Sequence, residues 1–448
     1  MKNQLIKILE NKKIAILGLG LENQSLLKYI NKLNHKFDIT ICDFRTQTEI
    51  NKKLKQEALN TQDYHYQLEN SFNRNLDKYD LLLRSPGWSL SCSGIKAAKE
   101  AKVELSSPMN LFFQICPNKN IIGVTGSKGK GTTATLITEI LKNNEKAVHL
   151  GGNIGIAPFD FIENIKSDDY VVLELSSFQL EDLKYSPKYS VITNIYHEHL
   201  SAADPQNPNY HHSYKDYLLA KAKIFKHKKY NDYLITKENV IIEYKNNAPK
   251  ALEKYHGDIL KYKKAKVKTK LKGTYNQENI GASLELVKLL NLDSNKSLEA
   301  IENFENLENR LEFVAEKNKV KYFNNSFSTT PESTKLDIKS FTEDIILIAG
   351  GADKGADFSA LVKDFKTKVK KTILFPGEGS KKIKASLLKA KYAEDNIIQV
   401  NSMAEALSQA KENSEKGDVV LLSPACASFG LFKNYKERGK LFKEEVNK

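Results

Sequence analysis

The sequence predicts an α/β protein folded as three successive domains, each around a mostly parallel sheet. Three observations predict it. Apolar runs of strand length alternate with helix-length amphipathic segments from end to end, the arrangement of parallel α/β domains. At 448 residues the chain is too long for one ordinary core and calls for roughly two to four domains. Two strands run straight into glycine turns, "KKIAILGLG" at 12–20 and "IIGVTGSKGKGTT" at 121–133, as strands do where an open sheet presents a ligand to the next helix.

The elements follow in order. After the strand and turn of "KKIAILGLG", a helix is expected near residues 23–33, and "FDITICDF" (37–44) returns as the second strand. "YDLLLRSPG" (79–87) and the segment running into Ser106 are two further strands. "QICPNKN" (114–120), with Pro117 among polar residues, interrupts the pattern and closes a first domain at 1–116. A second domain, 117–309, carries the strands "IIGVTG", "YVVLELSS" (170–177) and "YSVITNIY" (189–196), and helices containing "YLLAKAKIF" (217–225) and "YNQENIGASLELVKLL" (275–290). Within it "SAADPQNPNYHHS" (201–213) is too long for a plain connector and belongs with functional or mobile loops. Around "ENLENRLEFV" the alternation restarts as a third domain, 310–448, with strands "KYFNNS", "DIILIAGG", "KKTILFPG" and "DVVLLSPA".

A hydrophobic fraction of 40% with 28% charged residues is that of a soluble globular chain. The formal charge of +14 comes from scattered lysines, clustered only at "KYKKAKVKTKLK" and "KDFKTKVKK". Without interleaved aromatic or arginine stripes this reads as a solvated face, and no nucleic-acid partner is expected. Cys42, Cys92, Cys116 and Cys426 form no CxxC pair, so neither a disulfide framework nor a zinc knuckle is indicated. The N-terminus lacks a signal-peptide core and no stretch has membrane-spanning length, so a cytoplasmic location without membrane insertion is expected.

The phosphate loop is the strongest signal. Gly123, Gly126 and Gly129 let backbone amides turn inward around phosphates, at a helix start whose dipole favours anions, and Lys130 adds a point charge. The usual loop ends Gly-Lys-Ser/Thr, with the hydroxyl on Mg²⁺. Here Gly131 follows the lysine, at about 1 kcal/mol of helix propensity relative to alanine, and the hydroxyl moves to Thr132 or Thr133. "GLGLEN" (18–23) has Asn23 in place of a third glycine and is a poor dinucleotide fingerprint, yet Asp43 lies at the second strand end where an acid meets a ribose. Glu174 in "ELSSFQLE" and His197 and His199 in "HEHL" follow strand ends beside the loop. A carboxylate and an imidazole there would complete a Mg²⁺ shell, although each taken alone could be structural. Lys354 in "AGGADKGADF" and Ser428 in "SPACASFGLF" occupy later strand ends; Cys426 reads as a small packed residue.

Taken in order, "GVTGSKGKGTT", "GGNIG", "LELSSFQLE", "AKAKIF", "NRLE", "GGADKGADF" and "LLSPACASFGLFKNYKERG" resemble the Mur ligases, and among them the branch that adds D-glutamate. The resemblance implies a Rossmann-like N-terminal domain holding a UDP-sugar, a central ATPase domain of phosphate-loop type and a Rossmann-like C-terminal domain carrying the amino acid. It also implies an ATP- and Mg²⁺-dependent ligase acting on UDP-N-acetylmuramoyl-L-alanine and D-glutamate through an acyl phosphate, as a monomer. By the same resemblance Gly126, Ser127, Gly129, Lys130, Gly131, Thr132 and Thr133 bind ATP phosphates. Thr132, Glu174, His199 and Lys221, the last as a carbamate, hold the metal. Asn276, Asn279, Arg310 and Asn325 contact the nucleotide; Leu21, Asp43, Arg45, Ser85 and Asn153 hold the UDP-sugar; Thr329, Lys354, Ser428 and Tyr435 hold D-glutamate. Substrates from three domains imply closure around a water-poor cleft.

The chain departs from that family at three places. Glu198, a longer acid, precedes His199; the loop after His199 is longer; and "NNSFSTTP" (324–331) has Asn325 where the family carries an acid and Phe327 where it carries a lysine. The Lys-Gly-hydroxyl order at 130–132 is similar to the folylpolyglutamate synthases. A folate-type or sister ligase adding another acidic amino acid, and a nucleotide-binding protein with weakened catalysis, are therefore the alternative readings.

Overall fold

The computed structural model describes residues 1–200, 209–227, 231–253, 255–273, 275–353, 355–359, 361–362 and 365–448. It contains three sheets, one for each expected domain. The first has strands β1 (Lys13–Leu17), β2 (Asp38–Asp43), β3 (His65–Leu68), β4 (Leu81–Arg84) and β5 (Glu104–Ser106), in the order β3-β2-β1-β4-β5 with every pair parallel. Chain direction reverses at β1, so the crevice beyond its C-terminal end, where the glycine turn lies, is a ligand position of open sheets. The helix after it runs over Leu21–Asn31 and begins two residues before the expected 23.

The second sheet has β6 (Ile121–Thr125), β7 (Val148–Gly152), β8 (Tyr170–Glu174), β9 (Tyr189–Ile192), β10 (Tyr233–Thr236) and β11 (Asp258–Lys261), in the order β11-β10-β9-β6-β8-β7, again parallel throughout. Fully buried β6 lies between β8 and β9, with Val124 level with Glu174 and Thr125 level with Ile192. The register therefore brings the phosphate loop, Glu174 and the segment after Ile192 to one edge. The third sheet orders β12 (Glu312–Lys317), β13 (Val320–Asn324), β14 (Ile345–Ala349), β15 (Val369–Leu374), β16 (Ile397–Gln399) and β17 (Val419–Leu422) as β12-β13-β17-β14-β15-β16, parallel except for the β12–β13 pair.

Sequence patterning misses β3, β7, β10, β11, β12 and β16. Five of these lie at sheet edges, where one side is unpaired and less apolar, and they lack the continuous apolar run that marks a central parallel strand. Strand β10 is interior but only four residues long.

Two compact units result. The first, Met1–Ala265 with Glu278–Ala300, contains the first two sheets; the second is Lys266–Gln277 with Ile301–Lys448. One apolar core runs through both halves of the first unit, from Leu5, Ile14 and Leu81 to Phe112, Leu173 and Phe225. Faces of the third sheet are covered separately, around Phe365 and Leu347 on one side and Phe375 and Phe442 on the other. We propose domain limits at 1–116, 117–309 and 310–448, which keep each sheet whole.

Candidate active site

Backbone geometry builds the phosphate loop. Gly126 (φ +146°) and Gly129 (φ +82°) hold conformations that side chains rarely adopt, and a Cβ would lie 2.0 Å from Thr193 Oγ1 at the first and 2.3 Å from Asn279 Oδ1 at the second. Gly129 caps the helix Lys130–Asn143. Asn194 fixes the loop: its carbonyl accepts from the Ser127 amide at 2.9 Å and its Oδ1 from the Lys128 amide at 2.8 Å. Lys130 Nζ folds back to donate to the carbonyls of Gly126 (2.8 Å) and Ser127 (2.9 Å), its charge sitting inside the loop. Behind Gly131, Thr132 and Thr133 are both buried, and Thr133 Oγ1 has no hydrogen-bond partner.

At the end of β8, Glu174 is buried; its Oε1 accepts from Asn153 Nδ2 at 2.8 Å while Oε2 is buried without a partner. The Asn153 amide thus aims Glu174. Fully buried Lys221, on the helix Tyr214–Lys226, donates to the Gly126 carbonyl at 2.9 Å and stands 4.8 Å from the centre of the Tyr217 ring. Burial, reinforced by Lys130 and opposed by Glu198 and Glu174, holds its ammonium well below the usual lysine range.

His199 sits at φ +60°, a left-handed position that costs a non-glycine residue about 1 kcal/mol or more and that clusters at functional sites. Its carbonyl accepts from the His211 amide at 2.8 Å, and His211, buried and stacked on Phe178, lies 3.0 Å from Ser177 Oγ. The surroundings pull the His199 imidazole down to about 4, chiefly by desolvation; Glu198 opposes the fall, and Lys130, Lys221 and Lys128 add to it. Burial pushes the Glu198 carboxyl up, but Lys128, Lys130, His199 and Lys221 outweigh it and hold it at about 2, while Tyr217 donates to it at 2.8 Å.

These donors fit a hard divalent cation shared with phosphate oxygens: an orphaned buried carboxylate oxygen, an orphaned hydroxyl and one neutral imidazole. Among the described residues no three His, Cys, Asp or Glu side chains converge, so the protein supplies only part of a shell. Most of the loop after His199, residues 201–208, lies outside the described residues.

In the N-terminal sheet, Asp43 is buried, and its carboxylate accepts from the Leu19 amide (2.8 Å) and from Arg45, at 2.8 Å by Nε and 2.5 Å by Nη2. It pins Arg45 and the glycine turn together. Ser85 sits against that turn, its amide donating to the Leu17 carbonyl at 2.9 Å. Leu21 is 63% exposed and Phe44, which sequence patterns did not single out, is 48% exposed. Both follow strand ends tied to each other by the Gly18 amide on the Cys42 carbonyl at 2.9 Å.

The first two sheets are locked by fully buried Arg84. It donates to Asp182 at 3.0 and 3.1 Å, to the Trp88 carbonyl at 2.8 Å and to the Phe178 carbonyl at 2.6 Å. Beside it Glu22 accepts from Gln179 and keeps Oε2 buried without a partner. Burial pushes Glu22 up to about 7; Asp182 adds to the rise, while Gln179 and Arg84 oppose it. A raised carboxyl keeps its proton in the fold, so its stabilisation is complete below about 4.5 and lost as pH rises through 7, roughly 3 kcal/mol in all. Glu22→Gln is expected to remove that dependence. Its melting temperature relative to the parent should climb from pH 5 to pH 8; parallel curves would count against it.

In the second unit Asn325 is buried and donates to Asp337 at 2.6 Å, with Ser423 Oγ donating to the same carboxylate at 2.7 Å. The acid absent at position 325 is present in space, supplied from the helix Pro331–Ile338. Tyr435 begins the helix Tyr435–Asn447, and its ring meets Phe327 edge-on at 5.1 Å. Ser428 is buried, Thr329 half-buried, and Lys354 lies outside the described residues. Asn276, also buried, donates to the Lys272 carbonyl at 2.5 Å. Arg438, also missed from sequence, is buried and binds the Ser326 hydroxyl at 3.0 Å and carbonyl at 2.9 Å. Its partner lies 112 residues away, a separation for which a sequence carries no local signal.

A parallel sheet whose central strand opens into a phosphate loop, flanked by an orphaned carboxylate and a buried lysine, defines a nucleotide-dependent enzyme that handles phosphoryl groups. Family models match along the chain: Mur ligase MurD-like, N-terminal domain at 12–107; Mur ligase middle domain at 124–287; and Mur ligase, glutamate ligase domain at 309–426. The chain is 37% identical to the UDP-N-acetylmuramoylalanine--D-glutamate ligase of Clostridium tetani, with 99% of this chain and 98% of that protein covered. It is 35% identical to the enzyme of that name from Acetivibrio thermocellus, with 99% and 98% covered. The fold is similar to crystal structures of the UDP-N-acetylmuramate-alanine ligase MurC (TM-score 0.57, 18% identity, 98% and 99% covered) and of MurF in complex with ADP (0.60, 16%, 91% and 95%), both from Thermotoga maritima. The chain belongs to the Mur ligase family, a family of ATP-dependent amide-forming ligases.

Proposed function

We propose that the protein joins D-glutamate to UDP-N-acetylmuramoyl-L-alanine at the expense of ATP, through an acyl phosphate, in peptidoglycan precursor synthesis. It does so as a cytoplasmic monomer; no helix among the described residues is long and apolar enough to cross a membrane. One observation carries the reading: phosphate loop, Glu174 and Lys221 converge on one sheet edge in a chain whose full-length relatives are named for this reaction.

A carboxylate is a poor electrophile, and transfer of the γ-phosphoryl group gives it a leaving group. The loop amides from Gly126 to Thr133 hold the phosphates, and Lys130 leaves its own carbonyls to follow the charge that develops on them. Mg²⁺, held by Glu174, His199 and Thr132 or Thr133, would neutralise the oxygens of the transferred group. Burial disfavours the charged form of Lys221, and as a carbamate it would add a further oxygen ligand. Asn153 aims Glu174. Asn276 and Asn279 serve the adenosine side and Arg310 and Asn325 the nucleotide. Leu21, Phe44, Arg45 and Ser85 receive the UDP moiety, with Asp43 fixing Arg45. Thr329, Lys354, Ser428 and Tyr435 bind the amino acid, whose neutral amine attacks the acyl phosphate and expels phosphate.

ADP release tests this reading. It is expected to need UDP-N-acetylmuramoyl-L-alanine and D-glutamate together, and to fall to background with L-glutamate or without amino acid. Release with a folate acceptor, or with none of these, would overturn it.

A further inference from the structure

Arg310 stands on a turn strained on both sides. Asn309 has φ +60° and Leu311 φ +49°, left-handed conformations that are costly for a bulky residue such as leucine and persist only where the surroundings over-determine them. The surroundings do so here. The Asn309 carbonyl accepts from the Phe327 amide at 3.2 Å, its side chain from Asn324 at 3.0 Å, and its amide donates to Glu312 at 2.9 Å. Leu311 is fully buried and its carbonyl accepts from Asn306 at 2.7 Å.

The acids flanking the side chain so presented are engaged elsewhere. Glu308 and Glu312, each two residues away, are taken by Lys443 at 2.6 and 3.2 Å. Among the described residues the guanidinium makes neither hydrogen bond nor ion pair; its contact is the face of Phe327, with the guanidinium carbon 3.8 Å from the ring centre. Phe327 is held in turn, edge-on at 86° to Tyr435. A stacked guanidinium keeps its five donors in the ring plane's direction, free for a bidentate oxyanion, while the ring limits its rotation. A lysine or aliphatic side chain at 327 offers no such face.

We propose that Phe327 is a positioning residue that holds Arg310 as a clamp for one oxyanion of the substrates, a phosphate of ATP or a carboxylate of D-glutamate. This rests on the function proposed above, and the test separates the two. Phe327→Leu keeps bulk and removes the π face; Phe327→Tyr keeps both. Phe327→Leu is expected to raise KM for one of ATP and D-glutamate by about 3- to 30-fold, to leave the other within twofold, and to spare the melting temperature. Phe327→Tyr should restore the parent KM. In an Arg310→Ala background, Phe327→Leu should add nothing. The substrate that responds identifies the anion.

Unchanged KM for both substrates, equal losses for both, or additive losses in the double variant would overturn the proposal. So would a lower melting temperature that Phe327→Tyr does not restore. Calorimetric titration of the parent and Phe327→Leu proteins with Mg-ATP and with D-glutamate reads the clamp independently of turnover. A selective loss of affinity there supports the clamp even if the parent forms no peptide bond, a result that would sink the function alone; equal affinities would sink the clamp.

Discussion

Lys130→Ala is expected to lower kcat for ADP formation by about a thousandfold while leaving the melting temperature within a degree or two. Loss of a preorganised charge at a transferring phosphoryl group costs about 10²- to 10³-fold. Lys130 is the loop's own cation at the start of the helix Lys130–Asn143. Its ammonium donates to the loop carbonyls of Gly126 and Ser127, and the Glu198 carboxylate that it helps to hold keeps Lys128 beside it when Lys130 is removed. Steady-state ADP release with saturating substrates checks the rate and calorimetry the fold. A loss below tenfold would remove Lys130 from the catalytic machinery; a large fall in stability would recast it as structural.

Arg84→Met should have the largest effect on stability. Both members of the Arg84–Asp182 pair are more than nine-tenths buried, and Glu181 lies 3.4 Å from the same guanidinium. Removing one partner of such a pair leaves an uncompensated charge and costs about 3–5 kcal/mol. Two carbonyl acceptors, of Trp88 and Phe178, lose their donor as well. The first unit should then melt roughly 10 °C earlier in differential scanning calorimetry. Asp182→Asn in the same background is expected to recover part of the loss, because the stranded carboxylate is then neutral. A shift under about 3 °C, or a double variant worse than the single, would refute the buried-pair account.

The candidate site was legible where chemistry is local. Glycines, lysine and hydroxyls within eleven residues make the phosphate loop, because the strand before it and the helix after it dictate the turn. Glu174 and His199 were legible as polar residues following apolar strands. Tyr217 on Glu198, Arg84 on Asp182 and Arg310 on Phe327 were not. In each pair the partner's identity depends on which strand ends the sheet order makes neighbours. Asn153 shows the limit well: its motif suggested a sugar ligand, and only the fold places its amide on Glu174. The "NNSF" segment shows it again. In sequence it reads as a lost acid and a lost lysine, while in space Asp337 returns the carboxylate and Phe327 stacks on an arginine.

Alternating apolar runs and glycine turns thus dictated three mostly parallel sheets and the phosphate loop, since strand, turn and helix preferences act over a few residues. Chain folding alone decided the orphaned oxygen of Glu174, the burial that disfavours charge on Lys221, the raised carboxyl of Glu22 and the aim of Arg310. Each depends on desolvation and on charges brought together from distant segments, and those terms exist only once the sheets have stacked.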